Sequence, residues 1–178
     1  MRWRHQAVGL LLLAALFACG DEDATEPDST PENTIVFQRA DGTRINMAAN
    51  ALAWCAAWET GVVPTPAAHV GGGAGVAGQP GWKLQAVVAD VRLGEKLTFP
   101  NTFIFDQPKR ADLFIVDPPN ELSTQDGRSS GHIVFQQLSC PNGVVEFSID
   151  AVVGSEFGDG PSVSVKGTFR ASLSQPPG

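Results

Sequence analysis

An all-β domain, an antiparallel β-sandwich or flattened barrel of about seven to eight strands, is what this sequence predicts, and three observations predict it. Apolar residues recur at every second position over much of the chain beyond residue 33, the period of a half-buried strand. Sustained helical periodicity is missing. Gly, Pro and Asp clusters interrupt the apolar stretches at short intervals, as turns between strands do. No pattern of a parallel α/β sheet and no internal repeat accompanies them.

Residues 1–18 stand apart from that pattern. Arg2 and Arg4 precede an apolar run from Ala7 to Ala18, the order of a secretory signal peptide. As a helix the run would reach only about 18 Å, short of the ~30 Å hydrocarbon core, so it makes a poor membrane span. Leu16-Phe17-Ala18-Cys19 resembles the lipobox of bacterial lipoproteins, with a branched aliphatic residue three before the cysteine and a small one just before it. Phe17 is bulkier than that motif usually carries. The resemblance implies that Cys19 is acylated and becomes the N-terminus, holding the protein at a membrane through its lipid. Such a cysteine carries two or three chains, and stable anchoring needs more than one, at ~0.8 kcal/mol per buried methylene. Gly20 in place of Asp, by analogy with Gram-negative sorting, leans toward the outer membrane of the cell envelope, at its periplasmic face or the cell surface.

Residues 19–33 read as a lipidated cysteine and an acidic tether. Asp21, Glu22, Asp23, Glu26, Asp28 and Glu32, with Pro27 and Pro31 and no base, have no apolar surface to bury. The whole chain carries 12 bases and 19 acids, a formal charge of −7. Without Arg2 and Arg4 that becomes −9, and residues 34–178 alone hold ten bases and thirteen acids. A domain charge of −3 speaks against nucleic acid and against a polybasic membrane contact. Its 145 residues are enough for one domain with a substantial core.

Within residues 34–178, Thr34 to Arg39 and Thr43 to Met47 flank Ala40-Asp41-Gly42 and read as a hairpin. Ala48 to Trp58 is ambiguous: its alanines favour helix, but Leu52, Trp54, Ala56 and Trp58 fall at period two, and strand is the better reading. Gly61 to Gly81, with Gly71-Gly72-Gly73, reads as a long loop around at most one short strand. Trp82 to Arg92, Leu97 to Asp106 and Asp112 to Asp117 continue the strands, with Gln107-Pro108-Lys109-Arg110 as a break. Asn120 to Ser130 reads as a polar loop turning at Asp126-Gly127. Gly131 to Ser139 would place Ile133, Phe135 and Gln137 on one face. Val144 to Val153 aligns Val145, Phe147, Ile149 and Ala151; Ser162 to Leu173 aligns Val163, Val165, Phe169 and Leu173, with Gly167 interrupting the stripe. Val165-Lys166-Gly167-Thr168-Phe169 resembles the final strand of small β-sandwich lipoproteins of unknown function, a likeness that carries no activity.

If Cys19 is acylated, Cys55 and Cys140 remain, and in an oxidising compartment a disulfide is their expected state. The alternatives are two buried free thiols or, least favoured, metal ligands with His69 and His132, whose spacing fits no zinc site. Several constellations have a plainer reading than a functional one. Gly71 to Gly75 lacks the Lys-Ser or Lys-Thr pair of a phosphate loop. Ser129, Ser130 and His132 lack a nucleophile elbow and suit a turn entering a strand. Asp150 and Glu156 could serve glycoside chemistry only at the right separation. Asp117, Glu156 and Asp159 could bind calcium, but Gly158-Asp159-Gly160 is better read as a solvated turn. Trp54, Trp58 and Trp82 are the candidate binding surface, for stacking on sugar rings or docking a partner, unless they pack inside the sandwich.

These readings converge on a lipid-anchored module that binds or serves envelope structure rather than catalysing a reaction, with no cofactor and no metal. Its expected partners are the membrane, through the N-terminal lipid, and an unidentified protein or glycan, with no nucleic acid. The alternatives are an envelope hydrolase acting on polysaccharide and a chaperone-like accessory working through an open sheet edge.

Overall fold

The computed structural model describes residues 33–48, 50–58, 65–73, 80–100, 111–141, 143–155 and 160–174. The proposed lipid site Cys19 and residues 101–110 and 156–159 lie outside them, as do the side chains of Ala57, Trp58 and Thr65. The described chain is all-β apart from one 3-10 turn, Val88–Asp90. Among those residues no helix is long and apolar enough to cross a membrane.

Eleven strands follow in order: β1 Val36–Gln38, β2 Arg44–Asn46, β3 Leu52–Trp58, β4 Thr65–Gly72, β5 Gly81–Val87, β6 Lys96–Thr98, β7 Ala111–Asp117, β8 Asn120–Ser123, β9 Ser130–Leu138, β10 Val144–Ser155 and β11 Val163–Ser172. Every ladder between them is antiparallel. One layer runs β2-β1-β11-β10-β9-β6 and the other β3-β4-β5-β7-β8. Strand β10 joins them, pairing with β9 and β11 over most of its length and with β8 through Gly154 and Ser155. At the opposite corner Ser174 bridges to Trp54 and donates its N–H to the Ala53 carbonyl at 2.9 Å. Two such corners bring the layers together as a flattened barrel.

The alternation in sequence becomes burial wherever both neighbours are paired. Val145, Phe147, Ile149, Ala151 and Val153 of β10 meet Val163, Val165 and Phe169 of β11 inside the barrel. Phe147 lies 5.5 Å from Phe169 and 5.8 Å from Phe135, and Trp82 crosses from the other layer to meet the Phe169 ring edge-on at 6.3 Å. Each fully buried aromatic contributes roughly 1.5–3 kcal/mol through the area it removes from water. Trp82 can be buried because its indole Nε1 donates to the Met47 carbonyl at 2.9 Å.

Four expectations need correction. The Gly-rich stretch is not a loop with at most a short strand: β4 is eight residues long and lies centrally between β3 and β5. Its glycines serve close approach, since a Cβ at Gly72 would meet Ala51 Cα at 3.0 Å and Trp82 Nε1 at 3.2 Å. The stretch from Trp82 stays extended only to Val87, where the 3-10 turn interrupts it. Asn120–Ser123 is a short strand, β8, rather than loop. Gln137 is exposed instead of aligned with Phe135, because the β9–β10 register shifts between Glu146 and Phe147 and pairs Gln137 with Glu146. For β3 the strand reading holds, with its small residues inward: Ala53 is buried and Leu52 is 58 % exposed.

Candidate functional site

Three turns meet at one end of the barrel. The β1–β2 hairpin brings Arg39 and Asp41, the β7–β8 turn brings Asp117 and Asn120, and the entry to β11 brings Pro161 and Ser162. Their meeting follows from strand register: Gln38 pairs with Ser164 and Asp117 with Asn120, so the three connections leave the sheets at one level. Between them lies a cleft of about 420 Å3, inside the roughly 300–1,000 Å3 range of small-molecule sites.

The floor of the cleft is an ion pair. Arg39 donates from Nε to Asp117 Oδ2 at 2.9 Å and from Nη2 to Oδ1 at 2.6 Å, the fork-on-fork geometry that holds both planar groups rigid. Asp117 is 7 % exposed, and Arg39 also lies over the Phe37 ring at 5.8 Å. The hairpin itself is fixed by Asp41, whose Oδ1 accepts from the Thr43 N–H at 2.8 Å. That hydrogen bond, with a smaller contribution from Arg39, holds the Asp41 carboxyl below its usual range. Both Asp117 oxygens therefore face a guanidinium, a poor arrangement for the calcium ligand considered above. Glu156 and Asp159, the other two, lie outside the described residues. No group of three or more His, Cys, Asp or Glu among the described residues is placed to hold a metal.

A second polar centre lies on the outward face of the other layer. His69 of β4 is opposite Trp54 of β3 and Gln85 of β5, and the Trp54 and His69 rings stack with centroids 5.6 Å apart. His69 is 4 % exposed, and neither ring nitrogen has a hydrogen-bond partner among the described residues. Burial, then the charge of Lys83, lowers its pKa to about 4. Farther along the same row Asp112 accepts from Thr124 Oγ1 at 2.7 Å and Gln125 Nε2 at 2.9 Å. Burial nonetheless raises its pKa.

The remaining sequence candidates are dispersed. Trp82 is in the core at 5 % exposure and offers no surface, Trp54 is half-buried against His69, and the Trp58 side chain lies outside the described residues. Ser129 is buried, its hydroxyl donating to the Ser123 carbonyl and accepting from the Gly154 N–H, which pins a turn instead of facing a substrate. His132 is on the outward side of β9, across from Asp150. Asp150 is exposed and paired to Lys166 at 2.7 Å. Cys55 and Cys140 form a disulfide, with Cα atoms 5.8 Å apart, that ties β3 to the β9–β10 connection. Sequence reasoning missed Arg39 altogether, since no local pattern links it to a carboxylate 78 positions away. The Asp-Gly turn beside it was the nearest available signal. No family model, curated protein or solved structure matches the chain.

Proposed function

We propose that the chain is an extracytoplasmic lipoprotein, anchored in a bacterial envelope membrane by acylated Cys19 and presenting its β-domain as a binding module. The observation that carries the reading is the pairing of Cys55 with Cys140. Such a bond belongs to an oxidising compartment, and it leaves Cys19, the last residue of the lipobox-like Leu16-Phe17-Ala18-Cys19, as the one cysteine of three not used by it. The acidic residues that follow would hold the domain away from the bilayer surface. Gly20 favours the outer membrane over the inner. Binding through the barrel end is favoured over strand addition at β2 or β6, which are three residues each.

Metabolic labelling with an alkyne fatty acid tests the anchor. The parent chain is expected to take up label and to sediment with membranes, and Cys19→Ala to lose both properties. Equal labelling of the two, or an unlabelled parent in the soluble fraction, would overturn the reading.

A further inference from the structure

The cleft geometry points further, and we propose that the space bounded by Arg39, Asp117, Asn120 and Ser162 binds an uncharged polyhydroxylated ligand, a saccharide. This rests on the binding-module reading and names the ligand class of its site. The Arg39–Asp117 pair braces the two layers, but a brace alone explains neither the open cleft above it nor the ring of polar groups around it. Arg39 uses Nε and one Nη2 hydrogen on Asp117, which leaves donors on a planar group whose orientation is already fixed. Each Asp117 oxygen accepts one bond from Arg39 and keeps a second lone pair. Asn120 brings an amide with both donor and acceptor, and Ser162 a hydroxyl. Planar groups carrying paired donors and acceptors match vicinal hydroxyls, each of which both donates and accepts.

Charge selects among ligands. Arg39 and Asp117 neutralise each other, so the described lining residues leave no unpaired cation for an anion, and Asp41 would repel one. Among the described residues a cation would find one exposed carboxylate, Asp41, already engaged with Thr43, where solvent screening leaves little attraction. A neutral polyol meets neither penalty. Pro161 and the neighbouring Pro118 offer apolar surface for the C–H face of a sugar ring, and the locked ion pair means little ordering remains on binding.

The test uses the full lipidated chain in a detergent without a sugar headgroup. Saturation-transfer NMR and calorimetry would be run with chitotriose, cellotriose and maltotriose, and with trigalacturonate, spermidine and Ca2+ as charged controls. At least one neutral trisaccharide is expected to bind. Asn120→Ala and Ser162→Ala, which leave the ion pair whole, should each weaken it roughly 2- to 10-fold, the range of one lost hydrogen bond. Arg39→Lys should weaken it further while circular dichroism and the thermal transition show a folded domain. Binding of none of the three sugars, undiminished binding in all three variants, or binding of a charged control alone would each overturn the proposal. A chain that binds sugar but takes up no fatty acid would separate failure of the anchor from failure of the cleft.

Discussion

His69 lies flat against Trp54, with ring planes 10° apart and both imidazole nitrogens buried without a hydrogen-bond partner among the described residues. A neutral imidazole tolerates this place far better than a charged one, which is why its pKa falls from 6.5 to about 4. In that interval the unfolded chain binds a proton that the folded chain refuses. Stability is therefore full above about pH 6.5 and declines as pH falls toward 4, by on the order of 3 kcal/mol. Asp112 on the same face acts oppositely, since its raised pKa adds stability as pH falls. His69→Phe isolates the histidine: urea unfolding at pH 7 and pH 4 should show a smaller acid loss than in the parent. An identical loss in both would refute the assignment.

Arg39 and Asp117 should prove coupled. Asp117→Asn leaves a guanidinium beside a neutral amide, and Arg39→Met leaves a buried carboxylate unpaired. Each is expected to cost about 2–3 kcal/mol, below the usual buried-pair figure because Arg39 is partly solvated. The double replacement Arg39→Met with Asp117→Asn should cost less than the two single effects combined. A double-mutant cycle by chemical denaturation measures this, and strict additivity would show that the pair does not interact.

The Cys55–Cys140 bond closes a loop with a sequence separation of 85 residues. In the chain-entropy model that constraint is worth roughly 4–5 kcal/mol, held mainly by limiting the unfolded ensemble. Replacing both cysteines with Ala should lower the unfolding free energy by an amount of this order. Reduction should reproduce the effect in the parent and leave the double variant unchanged.

Gly167 has φ near +148°, and a Cβ there would sit 2.2 Å from the Thr34 carbonyl oxygen. The stripe of β11 is interrupted at this point so that the backbone near Thr34 can approach it, Thr34 N–H donating to Thr168 O at 2.9 Å. Gly167→Ala is expected to cost on the order of 2–3 kcal/mol, from strain and displaced backbone together. A Cβ at Gly127 would meet open space, and Gly127→Ala should stay within about 0.5 kcal/mol. Comparable thermal midpoints for the two variants would contradict the contact.

Legibility in the sequence followed the range of the interaction. Where burial depends on a strand's own alternation, as in β10 and β11, period two was enough to name the inward side chains. It failed where a neighbour decided the outcome. The glycines of β4 look like loop until Trp82 and the backbone near Ala51 are seen pressing against them, and Gln137 turns outward only because β9 and β10 slip register. Among the tryptophans, Trp82 and Trp54 both sit in strands of alternating pattern, yet one finds the Met47 carbonyl inside the barrel and the other a histidine outside it.

By itself the sequence determined the all-β class, the first hairpin, the inward stripes of the long strands and the expectation that Cys55 and Cys140 pair, because turns, periodicity and cysteine number are local or compositional properties. Only the tertiary structure decided how β10 and Ser174 close the barrel and which residues meet at its end. The Arg39–Asp117 pair and the cleft it shares with Ser162 span separations that no short pattern encodes, and they exist because antiparallel register delivers three distant turns to one place.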